Sequence, residues 1–214
     1  MSQTTTMIYR AFGKRAFDIT LSLVVLILLG PGLLLVALAI KLTSRGPVFY
    51  LQERIGKDGV PFQFIKFRTM VVGAEKIGAG ILCVKDDPRV TSIGRFLRRF
   101  SLDELPQLFN VLRGEMSVIG PRPGLAYQAS KYTPEQRRRL TVLPGITGWA
   151  QVNGRNALSW DERIRLDVQY VERLSLWMDI RILFRTARTV VAGGDMLAAK
   201  DYFKDKALTT REGP

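Results

Sequence analysis

Hydrophobic and polar positions follow three rhythms along this 214-residue chain, and each predicts its own element. The first is unbroken. From Ile19 to Ile40 the stretch ITLSLVVLILLGPGLLLVALAI carries no charge, and a helix of that length reaches roughly 30 Å, the depth of a bilayer core. The run exceeds a signal-peptide h-region and lacks a small-x-small cleavage pattern before Lys41, so it predicts a retained segment lying in lipid. In its middle, Gly30-Pro31-Gly32 removes one helical hydrogen bond and loosens the backbone, which predicts a sharp bend. Basic residues flank both ends, Arg10, Lys14 and Arg15 before and Lys41 and Arg45 after, so the positive-inside rule assigns neither end to the outside. The pattern predicts a helix that dips into one leaflet and returns, with a kinked span as the alternative.

The second rhythm has a period of two. VFYLQERI (48–55) and PFQFIKFRTM (61–70) are rich in aromatic and branched residues and are separated by an Asp58-Gly59 turn signal, which predicts a β-hairpin. The third is helical. A basic helix follows a cap at Thr91 or Ser92, after a Gly-rich loop with a short helical piece over 73–90. Leu105 to Leu112 predicts a helix closed by Gly114, its start marked by a Ser101/Glu104 capping box or by Asp103 with Pro106 in the first turn. Thr133-Pro134 and Ser159 with Glu162 start two more helices. Over 177–191, Trp177, Ile180, Phe184, Ala187 and Val191 share one face and Arg181, Arg185 and Arg188 another, a pattern that fits a membrane-surface helix or a core-packing one equally. The elements add up to an α/β chain, mostly α with one β-hairpin. They divide it into an N-terminal membrane helix with basic flanks (1–45), a globular domain (46–192) and a flexible C-terminal tail (193–214).

Composition narrows the chemistry. Lys plus Arg outnumber Asp plus Glu by 32 to 19, a formal charge of +13, which suits nucleic acid, an anionic membrane or phosphorylated substrates. The absence of histidine excludes imidazole bases and His-ligated metals, and the lone Cys83 excludes an internal disulfide and a cysteine zinc cluster. Acid–base or nucleophilic work therefore falls to carboxylates and cations.

Against that basic background, Asp103 and Glu104 stand out. Acids beginning a helix complement its dipole by roughly 0.3–1 kcal/mol each, so capping accounts for them when they are taken alone. Their neighbours add weight: Arg98, Arg99, Arg113 and Arg122 lie within about twenty residues, and Lys66 and Arg68 end the hairpin. Dipole and cations together predict an ionised Asp103 able to attack phosphorus, with a divalent cation on Glu104 relieving its repulsion from a diphosphate. In GPRPG (120–124), Pro121 and Pro123 stiffen the backbone around Arg122, limiting the freedom its guanidinium loses on gripping a phosphate. PGITGWAQVNGR (144–155) is similarly stiff, with Trp149 suited to an interface and Arg155 to an anion, while phosphate-loop and dinucleotide glycine motifs are absent.

KRAFD (14–18), the apolar run, FIKFRTM (64–70), DPRVTSIGRFLRR (87–99), SLDELPQLFNVLRGEMSVIGPRP (101–123) and PGITGWAQVNGR recur in this order over nearly the whole chain. In them the chain resembles the bacterial sugar transferases, specifically the small monotopic phosphoglycosyl transferases. The resemblance implies a re-entrant membrane helix, surface-lying amphipathic helices and a small cytosolic catalytic globule at a bacterial inner membrane. It implies transfer of a sugar 1-phosphate from a UDP-sugar to undecaprenyl phosphate with release of UMP, among membrane phospholipids and without nucleic acid. In that scheme Asp103 is the nucleophile that carries the phosphosugar, and Asp103 and Glu104 are the carboxylates for Mg²⁺. Arg122 between Pro121 and Pro123 contacts substrate, as do Arg98, Lys66 and Arg68. Gly30-Pro31 departs from the family's usual Ser-Pro at the helix break, so a serine side-chain bond that stabilises the bend is missing. Two other readings compete: a noncatalytic binder of anionic membranes or nucleic acid, and a Mg²⁺-dependent lipid-diphosphate hydrolase.

Overall fold

The computed structural model describes residues 7–77, 87–154 and 158–191. Cys83, Arg155, residues 78–86 of the 73–90 loop and the 193–214 tail lie outside the described residues. A π-helical turn, Tyr9–Gly13, runs directly into helix α1, Lys14–Thr43. The hairpin forms as expected: β1 (Phe49–Ile55) pairs antiparallel with β2 (Pro61–Phe67), from Phe49 opposite Phe67 to Ile55 opposite Pro61. Its turn puts both Asp58 and Gly59 at positive φ, which Asp tolerates and Gly adopts freely.

Three of the predicted caps are present. Thr91 Oγ accepts from Gly94 N at 3.0 Å to open α2 (Ser92–Arg99), and the Thr133 and Ser159 capping boxes open α5 (Pro134–Arg137) and α7 (Trp160–Arg173). Between them, α3 is Gln107–Arg113, closed by Gly114 at φ 85°, and α4 is Ala126–Ala129. The Ser101/Glu104 box does not form, and Asp103 is no cap either. Ser101 sits at φ 55° because it also reverses the chain as it leaves α2, whereas a capping residue needs extended backbone. Asp103 and Glu104 therefore lie in a 3₁₀ turn, Leu102–Glu104, ahead of α3.

A parallel pair was not foreseen: β3 (Ser117–Ile119) lies beside β4 (Gly145–Thr147). Three-residue strands leave too little periodicity to read. The approach is so close that a Cβ on Gly145 would lie 2.0 Å from Gly120 N, and one on Gly148 2.1 Å from Gly120 O. Helices α6 (Trp149–Val152) and α8 (Leu176–Val191) complete the described chain.

Helix α1 continues through Pro31, so the proline does not break it. In an apolar surrounding, unwinding would strand further backbone groups without water, and one lost hydrogen bond costs less than that. Nor is the apolar run wholly given over to lipid. Leu21, Val25 and Leu26 pack on the main core, built from Phe62, Phe64, Val111, Met116, Ile119, Tyr170 and Ile182 among others, while Leu33, Val36, Ala37 and Ile40 pack with Phe67 and Leu97. Between these two anchored halves, Gly30 and Gly32 have nothing near them, and Ile27, Leu28, Leu34 and Leu35 stand exposed.

The basic flank has structural work of its own. Arg10 donates to the carbonyls of Leu174 and Glu172 behind α7, and Arg15 to those of Val111 and Leu112 at the end of α3. In α8 the core takes Met178, Asp179 and Ile182, while the predicted apolar stripe faces outward, with Trp177 66% and Phe184 74% exposed. The stripe read from the sequence is therefore not the face that packs on the core; Met178 and Ile182, with Leu176 and Leu183, supply that face. Arg181 and Arg185 both lie against the Trp149 ring, at 5.5 and 5.1 Å from its centroid.

Candidate active site

The 3₁₀ turn carries Asp103 inward, 4% exposed, between the end of α2 and the start of α3. Its Oδ1 is buried and finds no hydrogen-bond partner among the described residues. Beside it, Glu104 takes both terminal nitrogens of Arg122: Nη1 donates to Oε2 at 3.1 Å and Nη2 to Oε1 in a shorter bond. A guanidinium and a carboxylate meeting by two bonds is the most directional ion pair available to side chains. Lys66 from β2, Arg98 from α2 and Arg122 all act electrostatically on Asp103, so hairpin, basic helix and Pro-Arg-Pro turn converge on one carboxylate.

Burial dominates that carboxylate. It pushes Asp103 up to about 6, the charge of Glu104 pushes the same way, and Lys66, Arg98 and Arg122 only partly oppose them. Dipole and cations are the sequence's reasons for an ionised Asp103; a value of about 6 leaves it mostly ionised at neutral pH, but desolvation outweighs the three cations in setting the direction of the shift. For a nucleophile that must be ionised, kcat/KM is expected to fall about tenfold per pH unit below about pH 6. A flat profile between pH 5 and pH 8 would contradict this.

Pro121 and Pro123 shape the turn through their backbone: the Pro121 carbonyl accepts from Gly145 N at 2.8 Å and the Pro123 carbonyl from Arg54 Nη1 at 3.3 Å. Arg98 Nε donates to Thr69 Oγ1 at 2.8 Å, and Lys66 lies over the Tyr50 ring, 5.0 Å from its centroid. Arg68 borders the cavity that Lys66 and Arg98 also line, and it has a structural task as well. It is buried and its terminal nitrogens bind the Arg45 carbonyl (2.6 Å), the Ser44 carbonyl (2.9 Å) and Ser44 Oγ (2.7 Å), tying the end of α1 to the exit of β2. Arg99 and Arg113 are exposed at the surface.

Two residues were missed by the sequence reading. Arg54 is pushed down to about 10 by burial and by Arg122, and it lies over the Phe64 ring. Tyr50 shares its strand face. The signal was present in β1: Tyr50, Gln52 and Arg54 are half-buried, whereas Phe49, Leu51 and Glu53 are exposed, so the polar side of the strand faces inward. That inversion of the usual polarity marks a site wall. These residues, with Lys66, Thr69, Glu75 and Arg98, line a cavity of about 260 Å³. Asp103 and Glu104 are not in its lining, but Lys66 and Arg98, which are, also act electrostatically on Asp103.

The carboxylates are compatible with magnesium. No group of three or more His, Cys, Asp or Glu gathers among the described residues. Magnesium, however, is commonly held by one or two carboxylates and completed by water and phosphate oxygens. The unpaired Asp103 Oδ1 is a free ligand atom, and Glu104, held by Arg122, is the second carboxylate beside it.

The model of the family described as bacterial sugar transferase matches residues 9–193. The chain belongs to that family. The curated relatives agree. An undecaprenyl-phosphate glucose phosphotransferase of Komagataeibacter xylinus is 48% identical over 189 residues, covering 82% of this chain and 35% of that protein. A UDP-glucose:undecaprenyl-phosphate glucose-1-phosphate transferase of Escherichia coli is 45% identical, covering 81% of this chain and 39% of that protein. The uncharacterized sugar transferase EpsL of Bacillus subtilis is 46% identical, covering 83% of this chain and 87% of its own length. This bacterial sugar transferase thus spans well under half of the first two relatives and nearly all of the third.

Proposed function

We propose that the chain moves a sugar 1-phosphate from a UDP-sugar to undecaprenyl phosphate, releasing UMP, at the cytoplasmic face of a bacterial inner membrane. The observation that carries this reading is the buried, unpaired Asp103 oxygen beside the Arg122–Glu104 pair, ringed by Lys66 and Arg98. The activities for which the Komagataeibacter and Escherichia relatives are named support it.

In the first half-reaction an Asp103 carboxylate oxygen attacks the sugar-proximal phosphorus. An acyl phosphate bond forms, the bond from that phosphorus to the bridging oxygen breaks, and the bridging oxygen leaves with UMP. In the second, an oxygen of undecaprenyl phosphate attacks the same phosphorus and Asp103 is released as carboxylate. Arg122, Lys66 and Arg98 offset the charge that gathers on the phosphoryl oxygens, in surroundings dry enough to strengthen that attraction. A magnesium ion held by Asp103 and Glu104 would neutralise part of the diphosphate charge.

The cavity beyond Lys66 is the place for the nucleoside, with Tyr50 as its aromatic wall. Tyr50→Ala is therefore expected to raise the KM for the donor about tenfold, an aromatic contact being worth roughly 0.5–1.5 kcal/mol, and an unchanged KM would remove the nucleoside from this cavity. The test of the function is incubation with Mg²⁺, a panel of UDP-sugars and undecaprenyl phosphate. UMP release that depends on acceptor and leaves a lipid-linked sugar supports it. Acceptor-independent hydrolysis, or no UMP with any donor, counts against it.

The family's re-entrant topology is supported by the two halves of α1 packing on one globule while Pro31, between Gly30 and Gly32, is exposed. Both flanks then lie on the cytosolic side. Single cysteines placed before Arg10 and at Arg45 are expected to react with an impermeant reagent only after the inner membrane is opened, and protection of just one of them indicates a span.

A further inference from the structure

Four successive carbonyls, from Pro121 to Gly124, each accept a hydrogen bond from a different place in the fold. Pro121 O takes Gly145 N (2.8 Å), Arg122 O takes Arg139 Nη2 (2.7 Å), Pro123 O takes Arg54 Nη1 (3.3 Å) and Gly124 O takes Ile55 N (2.9 Å). Two of the four residues are prolines with no N–H of their own, so the turn can be fixed almost solely through its carbonyls. Two of the donors are backbone amides placed by strands. Of the side-chain donors, Arg139 is the one built in deepest.

Arg139 is 4% exposed although it carries a full charge. Asp167 from α7, 1% exposed, accepts from its Nη2 at 2.5 Å. Its Nη1 donates to the Tyr132 hydroxyl in a short bond, and its guanidinium lies 5.4 Å from the Tyr132 ring centroid. Tyr132 in turn stacks on Trp160 at 6.3 Å and presses its hydroxyl so near Gly124 that a Cβ there would lie 2.7 Å away. An ion pair this deeply buried is costly to desolvate, so its retention is not explained by stability alone. What it holds is the backbone carbonyl of the residue whose side chain grips Glu104.

Resting on the activity proposed above, we infer that Arg139, aligned by Asp167 and Tyr132, is a positioning residue: it fixes the Arg122 carbonyl so that the Arg122 guanidinium is already aimed when the transferring phosphate arrives. Pre-set cations act on the transition state, and a displacement of about 1 Å can cost on the order of 100-fold in rate. The effect therefore falls on kcat more than on donor KM.

The experiment is a double-mutant cycle on the full chain in detergent, Asp167→Asn crossed with Arg122→Lys, with UMP release as the rate. Asp167→Asn is expected to lower kcat by tenfold or more in the wild-type background, with donor KM changed less than threefold. In the Arg122→Lys background, where the aimed fork is already gone, it is expected to cost twofold or less. Equal loss in both backgrounds means a merely structural role and overturns the inference, as does no loss in the wild-type background. Should Asp167→Asn lower the yield of folded protein, Tyr132→Phe takes its place, with the same outcomes expected. A second arm needs no turnover: amide exchange in a peptide spanning residues 117–126 is expected to quicken in either variant by more than in peptides remote from the turn, and exchange that is unchanged or quickened evenly throughout the chain overturns the inference. If the wild-type chain releases no UMP, the activity falls while this arm still decides the clamp.

Discussion

Asp103→Asn ends turnover and leaves a protein that melts at a higher temperature than the wild type. The first half follows from the chemistry. The amide that replaces the carboxylate is a far poorer nucleophile toward phosphorus, so UMP release should fall by about 10³-fold or more and no phosphosugar adduct should map to position 103. The second half follows from burial. The Asp103 carboxyl is raised from its ordinary 3.8 to about 6. Between those two values the folded chain holds the proton more tightly than the unfolded one, so stability falls as pH rises through that window. At neutral pH the ionised group is a net cost on the order of 1–3 kcal/mol. A neutral side chain of the same shape escapes that cost, and a shift of a few degrees in Tm is expected. Thermal melts at pH 7, alongside UMP assays, check both halves. Turnover within tenfold of wild type, or a Tm lowered by the substitution, contradicts them.

Asp179→Ala has the largest expected effect on stability. Asp179 is fully buried in α8 and accepts from three groups: Tyr9 O–H at 2.6 Å, Tyr170 O–H at 2.8 Å, and the Lys14 ammonium at 2.9 Å. The same ammonium reaches Asp18 at 3.1 Å, and Asp18 Oδ1 accepts from Val118 N at 3.1 Å. One carboxylate thereby locks the base of α1 to α8, to Tyr170 of α7 and, through Lys14 and Asp18, to the strand that leads into the Pro-Arg-Pro turn. Removing it leaves the Tyr9 hydroxyl and part of an ammonium without an acceptor in a closed site, and leaves Tyr170 only the Ile119 carbonyl at 3.0 Å. A loss of about 3–5 kcal/mol is expected, and with it a Tm lowered on the order of 10 °C. Trp177→Ala, two residues away on the exposed face, should stay within about 0.5 kcal/mol in detergent, so the pair of variants separates the inner face of α8 from the outer one.

Those two residues also show where a sequence can and cannot be read. Asp103 stood out because two acids at the end of a basic helix are a local contrast. Asp179 did not, because its partners at positions 9, 14 and 170 are scattered along the chain and each looks ordinary where it stands. KRAFD was legible as part of an ordered set, but its physical meaning, Lys14 and Asp18 in the lock and Arg15 closing α3, is visible only once the fold brings Asp179, Val118 and Val111 beside it. Arg68 went the other way. As a cation at the end of the hairpin it read as a phosphate contact, and the tertiary structure turns its fork toward Ser44 and Arg45.

By itself the sequence determined what depends on neighbours a few residues apart: an apolar run long enough for lipid, the hairpin and its Asp-Gly turn, the caps at Thr91, Thr133 and Ser159, the closing Gly114, and the exclusion of histidine and disulfide chemistry. Each rests on local backbone preference or on composition, which folding cannot alter. Only the tertiary structure decided that burial raises Asp103 to about 6, that Glu104 is bound by Arg122 from eighteen residues away, that β3 and β4 lie side by side, and that Arg54 and Arg139 hold the Pro-Arg-Pro turn. Desolvation and long-range pairing depend on what the rest of the chain packs around a group, and no window of sequence contains that.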